Sequence, residues 1–265
     1  MHTIASPRNL LYKEIRRALA RGTLTEDGCA VAETFHLLEE ALRSDRQVPF
    51  VLAAESVRGT VEHHIRHLRD TRFSVVPDAL FNQLATTETS QGVLALVRPP
   101  TWSMEELLRG RTCAVVLDGV QDPGNAGAIV RAAEAFGATG VLFLKGSVNP
   151  YNTKTLRASA GSLFRLPAVS GIDVDLAKAA FSQRRLDVYA AVPRASRTIQ
   201  EVDFNRRCAI VIGSEGRGIS EKLKSGAVEV AIPTLGVESL NAAMAATVIL
   251  YEMSRQRRLA TVIPS

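Results

Sequence analysis

No apolar run in this 265-residue chain approaches the ~20 residues that a membrane-spanning helix needs, and Met1 to Tyr12 holds no apolar core of secretory-signal length. Both absences make the cytoplasm the expected address. Cysteine is scarce: Cys29, Cys113 and Cys208 are odd in number, far apart and without a C-x-x-C pair. They are expected to be reduced core thiols rather than a disulfide framework or a metal centre. No metal site is expected elsewhere, since the histidine-rich stretch with His63, His64 and His67 offers an i, i+4 pair without a third ligand. Internal repeats, low-complexity tracts and the G-x-G-x-x-G spacing of a dinucleotide-binding turn are missing too.

Core-forming material is plentiful, with 46% hydrophobic and 22% charged residues, enough for one large α/β domain or two smaller ones. The net charge of +5 is unevenly spread. Basic and acidic residues balance at 12 each over 1–100, whereas 20 basic face 15 acidic residues over 101–265. An excess placed there suits a polyanionic partner.

Residues 9–21 put Leu11, Ile15, Ala18 and Leu19 on one helical face and Lys13, Arg16, Arg17 and Arg21 largely on others. After this amphipathic helix, helices are expected over 33–43, 61–70 and 78–85, with strands over 50–54, 73–76 and 92–97. Arg98-Pro99-Pro100-Thr101 then breaks regular structure, and Ser103 opens a short capped helix. We expect a first α/β unit over 1–98, a linker over 99–112 and a second unit over 113–265. In the second, strands over 114–117, 140–144, 166–169, 188–191, 208–212 and 228–232 alternate with helices over 125–136, 153–160, 173–184, 220–224 and 239–256. Such alternation predicts an α/β fold with a mainly parallel sheet and helices on both faces.

Three segments of the second unit follow apolar runs and place small or polar residues at strand C-terminal ends, where open α/β sheets bind ligands. The first, Asp122-Pro123-Gly124-Asn125-Ala126-Gly127, makes a tight turn, offers Asn125 as an N-cap and runs into a helix carrying Arg131 two turns in. Taken alone, Arg131 is a surface arginine. The second, Gly213-Ser214-Glu215-Gly216-Arg217-Gly218, can bring backbone amides against a ligand, with Glu215 ordering the loop or bonding substrate. The third runs from Ile232 to Asn241; Ile232 and Leu240 supply apolar contacts, Gly236 permits a bend, and Ser239 is the expected cap of the last helix.

Asn125, Gly127 and Arg131 (N-x-G-x-x-x-R), Gly213-Ser214-Glu215-Gly216, and Ile232-Pro233 with Ser239-Leu240-Asn241 resemble, in order and spacing, the three motifs of the SpoU (TrmH-type) branch of the SPOUT RNA methyltransferases. Thr87 to Ala95 resembles the closing segment of the small α/β substrate-binding domain that often precedes that catalytic domain, a fold like that of certain ribosomal RNA-binding proteins. The resemblance implies methyl transfer from S-adenosylmethionine to a ribose 2′-hydroxyl, with ribosomal RNA slightly preferred over transfer RNA. It also implies a homodimer and a trefoil knot around the C-terminal helix. Arg131, Asn125, Glu215, Ser239 and Asn241 then surround the acceptor, and Ile212, Gly213, Ile232, Leu240 and Gly236 hold the cofactor. Lys154, Arg157 and Arg165 are expected to meet RNA phosphates. Arg131 acts either as general base or as a cation that stabilises the developing alkoxide, the second matching a guanidinium's ordinary protonation. The departures are small: Thr234 and the run Ala242-Ala243-Met244 stand where Met and Val-Ser-Val are commoner in the family.

Two other readings compete. A non-catalytic RNA-binding protein with the same fold sits poorly with three intact motifs. A nicotinamide-dependent oxidoreductase fits the strand and helix alternation but fails on glycine spacing.

Overall fold

The computed structural model describes residues 2–262, which fall into two compact units. One lies within residues 2–101 together with Tyr151–Arg165, the other within Trp102–Pro150 and residues 166–262.

The first unit contains β1 (His2–Thr3), α1 (Leu10–Arg21), β2 (Ala30–Glu33), α2 (Phe35–Arg43), β3 (Phe50–Ala54), α3 (Arg58–Ile65), β4 (Arg72–Val76), α4 (Asp78–Asn82) and β5 (Val93–Val97). Its sheet runs β1-β4-β3-β5-β2, with β1, β4 and β3 parallel and β5 antiparallel to both β3 and β2. The strand β2 was not expected: residue 33 ends a fully buried strand, and the helix begins only after Thr34, whose hydroxyl caps it at the Leu37 N–H. The run Cys29 to Ala32 is apolar throughout, which suits a strand covered on both sides better than an amphipathic helix. Helix α3 ends at Ile65 rather than 70, because Val61 and Ile65 are its only buried residues. His67 and Arg69 therefore lie beyond it.

The segment Tyr151–Arg165 belongs to this unit. Within it α7 (Thr153–Ala158) is capped by Asn152 and packs on β2. Arg157 donates to Glu33 Oε2 at 2.8 Å and to Thr86 Oγ1 at 2.6 Å, and Glu33 is only 1% exposed. The same carboxylate accepts the Thr86 N–H at 3.0 Å. Arg165 donates to Glu40 Oε2 at 2.6 Å. Burial pushes the Glu40 carboxyl up, but hydrogen bonds from Arg165 and Arg43 outweigh it and hold the group below the usual glutamate value. Gly161, in left-handed backbone, fits where a Cβ would lie 2.6 Å from Glu40 Cβ. Of the three cations expected to meet RNA, Arg157 and Arg165 are thus ion-paired, and Lys154 is exposed.

The second unit opens with α5 (Met104–Leu107), closed by a reciprocal capping box between Ser103 and Glu106. Then follow β6 (Cys113–Asp118), α6 (Pro123–Ala135), β7 (Gly140–Leu144), β8 (Ala168–Ile172), α8 (Val174–Gln183), β9 (Asp187–Ala191), β10 (Cys208–Gly213), α9 (Glu221–Lys224), β11 (Val228–Val230) and α10 (Ala242–Val262). All five strand pairs are parallel, in the order β11-β9-β10-β6-β7-β8. The expected parallel α/β sheet is therefore present. Strands β6 and β10 are its buried centre, in register from Cys113 against Cys208 to Asp118 against Gly213. The chain leaves β6 toward β7 and β8 and returns on the other side, so the β6/β10 seam is the topological switch point. Helix α10 packs on α6. Its Arg257 donates to the carbonyls of Phe204 and Arg111, both at 2.9 Å, and of Thr112, also at 2.9 Å, which secures the helix to the chain entering both central strands.

Removing Arg157 would leave the Glu33 carboxylate buried without its cation. Arg157→Ala is expected to lower unfolding free energy by about 3 kcal/mol, read as a drop in the urea midpoint; an unchanged midpoint would show that the threonines alone satisfy Glu33.

Candidate active site

At the C-terminal end of β6, Asp118 accepts the Ser220 N–H at 2.7 Å, which ties the first loop to the start of α9. The helix that follows starts earlier than expected. Asp122 is its N-cap, accepting the Asn125 N–H at 2.7 Å, and Pro123 occupies the first turn, where a missing N–H costs nothing. Asn125 is therefore not the cap but a residue of the first turn, and its side chain is left for other partners.

At the end of β10 the chain reverses sharply. Ser214 and Gly218 exchange two backbone hydrogen bonds at 3.2 and 2.9 Å, and the Ser214 hydroxyl accepts the Arg217 N–H. A Cβ on Gly213 would lie 2.3 Å from the Gly218 carbonyl carbon, so only glycine permits this turn. Glu215 sits at its exposed tip.

The third segment ends in Asn241, which caps α10 in place of the expected Ser239. Its Oδ1 accepts the N–H groups of Ala243 and Met244 at 2.9 and 3.3 Å. The other half of the amide is then directed outward: Nδ2 donates to Glu215 Oε1 at 2.7 Å and to Asn125 Oδ1 at 3.0 Å. Asn125 Nδ2 donates to the same Glu215 oxygen at 2.9 Å. One residue from each segment thus closes a hydrogen-bonded triangle.

Two cavities meet at this triangle. The larger, about 550 Å³, is lined by Asp118, Gln121, Asn125, Lys145, Glu215 and Arg217 among others. The second, about 450 Å³, has apolar walls from Val192, Ile212, Val230, Ile232, Leu240 and Ile249, with Gly213, Ser239 and Asn241 at its polar side. Asn125 lines only the first, Asn241 only the second, and Glu215 both. The triangle stands between a chamber that carries the charged side chains, the polar one, and a chamber with an aliphatic wall, the apolar one.

Most of the expected site residues converge here. Ile212, Gly213, Ile232 and Leu240 line the apolar chamber, and Gly236 lies outside it, in a left-handed turn of the same loop. Arg131 lines neither chamber; it is exposed on α6 and, among the described residues, its guanidinium makes no hydrogen bond or ion pair. Sequence reading missed Asp118 and Asp122 as organisers, and Ala191 at the end of β9 with Val192 and Pro193 after it as a wall. The motif D-P-G-N carried the signal for Asp122, since Asp before Pro is a standard helix start. Among the described residues no group of three or more histidine, cysteine, aspartate and glutamate side chains could hold a metal ion.

The SpoU rRNA methylase family matches residues 112–251, and the MRM3-like substrate binding domain matches residues 10–95. The chain is 30% identical over 260 residues to the 23S rRNA (guanosine(2553)-2′-O)-methyltransferase RlmP of Bacillus subtilis, spanning 96% of this chain and 99% of that protein. It is 33% identical over 201 residues to the 23S rRNA (uridine(2479)-2′-O)-methyltransferase of Streptomyces viridochromogenes, spanning 73% and 70%. The crystal structure of the SpoU methyltransferase AviRb from Streptomyces viridochromogenes with AdoMet superposes with a TM-score of 0.87 at 27% identity, over 95% of this chain and 99% of that one.

The tight turn after β10 gives a direct test. Gly213→Ala forces the backbone of Gly218 away and is expected to destabilise the protein by about 2 kcal/mol, visible in chemical denaturation. A wild-type midpoint would mean that the turn can open without cost.

Proposed function

The chain belongs to the SpoU rRNA methylase family, and from that premise we propose that it transfers a methyl group from S-adenosylmethionine to a ribose 2′-hydroxyl of structured RNA, ribosomal RNA before transfer RNA. The observation that carries this reading is the Asn125, Glu215 and Asn241 triangle standing between an apolar and a polar chamber at the sheet's switch point.

The residues present fit the cofactor. Ile212, Val230, Ile232, Leu240 and Ile249 make a chamber suited to a purine ring, with Gly213 and Ser239 at its polar side. The bound cofactor supplies an electrophilic methyl group on a sulfonium. Asn125, Glu215 and Asn241 hold the acceptor hydroxyl in line with that methyl, the carboxylate accepting the hydroxyl's hydrogen bond. Ser239, on the apolar chamber's polar side, completes the surround. Arg131 stabilises the alkoxide as the proton leaves to water or phosphate, or takes the proton itself.

Arg131 needs a second copy to reach that role. Helix α10 exposes Met244 (62%), Val248 (38%) and Tyr251 (57%) at i, i+4 and i+7, one apolar stripe. Tyr251 packs edge-on against Phe136 near the end of α6, the helix that bears Arg131. A two-fold partner seated on the stripe would cover it and enclose Arg131, as the homodimer of this family implies. The trefoil knot belongs to the same reading, with α10 as the threaded helix. So does a cytoplasmic address; among the described residues no helix is long and apolar enough to cross a membrane. In the first unit, exposed Lys154 is left to meet phosphate, while Arg157 and Arg165 support the surface from their ion pairs.

Two measurements test this. Labelled S-adenosylmethionine incubated with total RNA from cells lacking the gene is expected to yield a labelled 2′-O-methylnucleoside, and Arg131→Ala to lower the rate at least about 100-fold with cofactor affinity retained. A labelled base would overturn the ribose assignment; cofactor affinity without transfer to any RNA would favour the non-catalytic reading. Separately, Val248→Asp with Tyr251→Glu is expected to convert a dimer to monomers in sedimentation equilibrium and to stop transfer. A dimer that survives would place the interface elsewhere.

A further inference from the structure

The polar chamber has an internal economy that points to its occupant. Three carboxylates line it, but each already accepts protein N–H groups: Asp118 from Ser220, Asp122 from Asn125, and Glu215 from the amides of Asn125 and Asn241. The two cations are differently placed. Arg217 is exposed and, among the described residues, its guanidinium has no hydrogen-bond or ion-pair partner. Lys145 pairs with Asp173 at 2.8 Å, but both side chains are more than 60% exposed (63% and 62%), and such a surface pair is readily exchanged for a phosphate. Gln121 is exposed as well, and its amide carries both donors and an acceptor. Asp118 uses Oδ2 for Ser220, and among the described residues Oδ1 has no partner.

From this arrangement we propose that the polar chamber seats the acceptor nucleotide itself, its base edge against Asp118 and Gln121 and its flanking phosphates on Lys145 and Arg217. The proposal rests on the methyltransferase reading above and adds to it the residues that recognise the acceptor. A ribose held at the mouth of this chamber meets the Asn125 and Glu215 side of the partition, opposite the apolar chamber. Base and phosphate then lie on the polar side and the methyl donor on the other. Neutral and anionic ligand groups are matched to what the chamber offers: carboxylates already held by protein N–H groups, and the exposed, exchangeable cations Lys145 and Arg217.

Gly216 allows the two chambers to be separated experimentally. It lines the polar chamber and not the apolar one, has nothing within 4 Å of a built Cβ, and is not in left-handed backbone. Gly216→Trp is expected to fill the polar chamber, lowering methyl transfer to RNA by about 100-fold or more while leaving S-adenosylmethionine affinity in calorimetry within about twofold of wild type. Lys145→Ala with Arg217→Ala is expected to raise the KM for RNA and to reduce the slope of log RNA affinity against log salt by about 1.5, as loss of two phosphate contacts requires. Wild-type turnover in Gly216→Trp, or an unchanged salt slope in the double variant, would overturn the proposal. If Gly216→Trp fails to fold, the salt slope decides alone. Absence of transfer by the wild-type protein would instead sink the methyltransferase reading, so the two failures are distinct.

Discussion

A single carboxylate oxygen, Glu215 Oε1, accepts hydrogen bonds from two asparagine amides that lie 90 and 26 residues away in sequence, at 2.9 and 2.7 Å. A charged acceptor makes each bond stronger than a neutral one. The loop after β6, the turn after β10 and the start of α10 are therefore tied at one point, and both chambers take their shape from that tie. Because the contact is exposed, it depends on how well the three backbones are already held. Asp122 fixes Asn125, Gly213 and Gly218 fix Glu215, and the first turn of α10 fixes Asn241.

The sheet supplies the scaffold that makes such alignment possible. Since β6 and β10 are adjacent, parallel and in register, Asp118 and Gly213 end side by side. Parallel strands point their C-terminal ends the same way, so loops distant in sequence open on one edge. Asp118 then reaches across to the Ser220 N–H, so that the two loops bracket one crevice.

Much of this was legible in the residues. Apolar runs located nine of the eleven strands among the described residues, all but β1 and β2, which was enough to expect a parallel second sheet, and the three motifs named Asn125, Glu215 and Asn241. What could not be read was the division of labour between backbone and side chain. Asn125 and Ser239 both look like caps, yet Asp122 and Asn241 do the capping, because Pro123 can begin a helix and because Asn241 can cap with its oxygen and still donate with its nitrogen. Strand β2 was hidden because its apolar run is short and its last residue, Glu33, reads as the start of the amphipathic helix that in fact begins after Thr34. The segment 151–165 looked like a cationic surface because its basic residues are visible in sequence, whereas Glu33 and Glu40, more than 110 residues earlier, are brought to them only by the fold.

Asn241 also sets how losses of activity should be interpreted. Its amide joins the partition to the first turn of α10, and α10 in turn carries Arg257, which holds the chain entering β6 and β10 at the opposite end of the sheet. Truncating Asn241 removes a cap worth roughly 1 kcal/mol and a contact to Glu215 together, so reduced transfer in such a variant mixes fold with chemistry. Asn241→Asp separates them. It keeps the capping oxygen but places a second carboxylate beside Glu215, where like charges repel. A variant that melts as the wild type does and loses transfer would assign the amide to the chemistry of the partition rather than to the helix it begins.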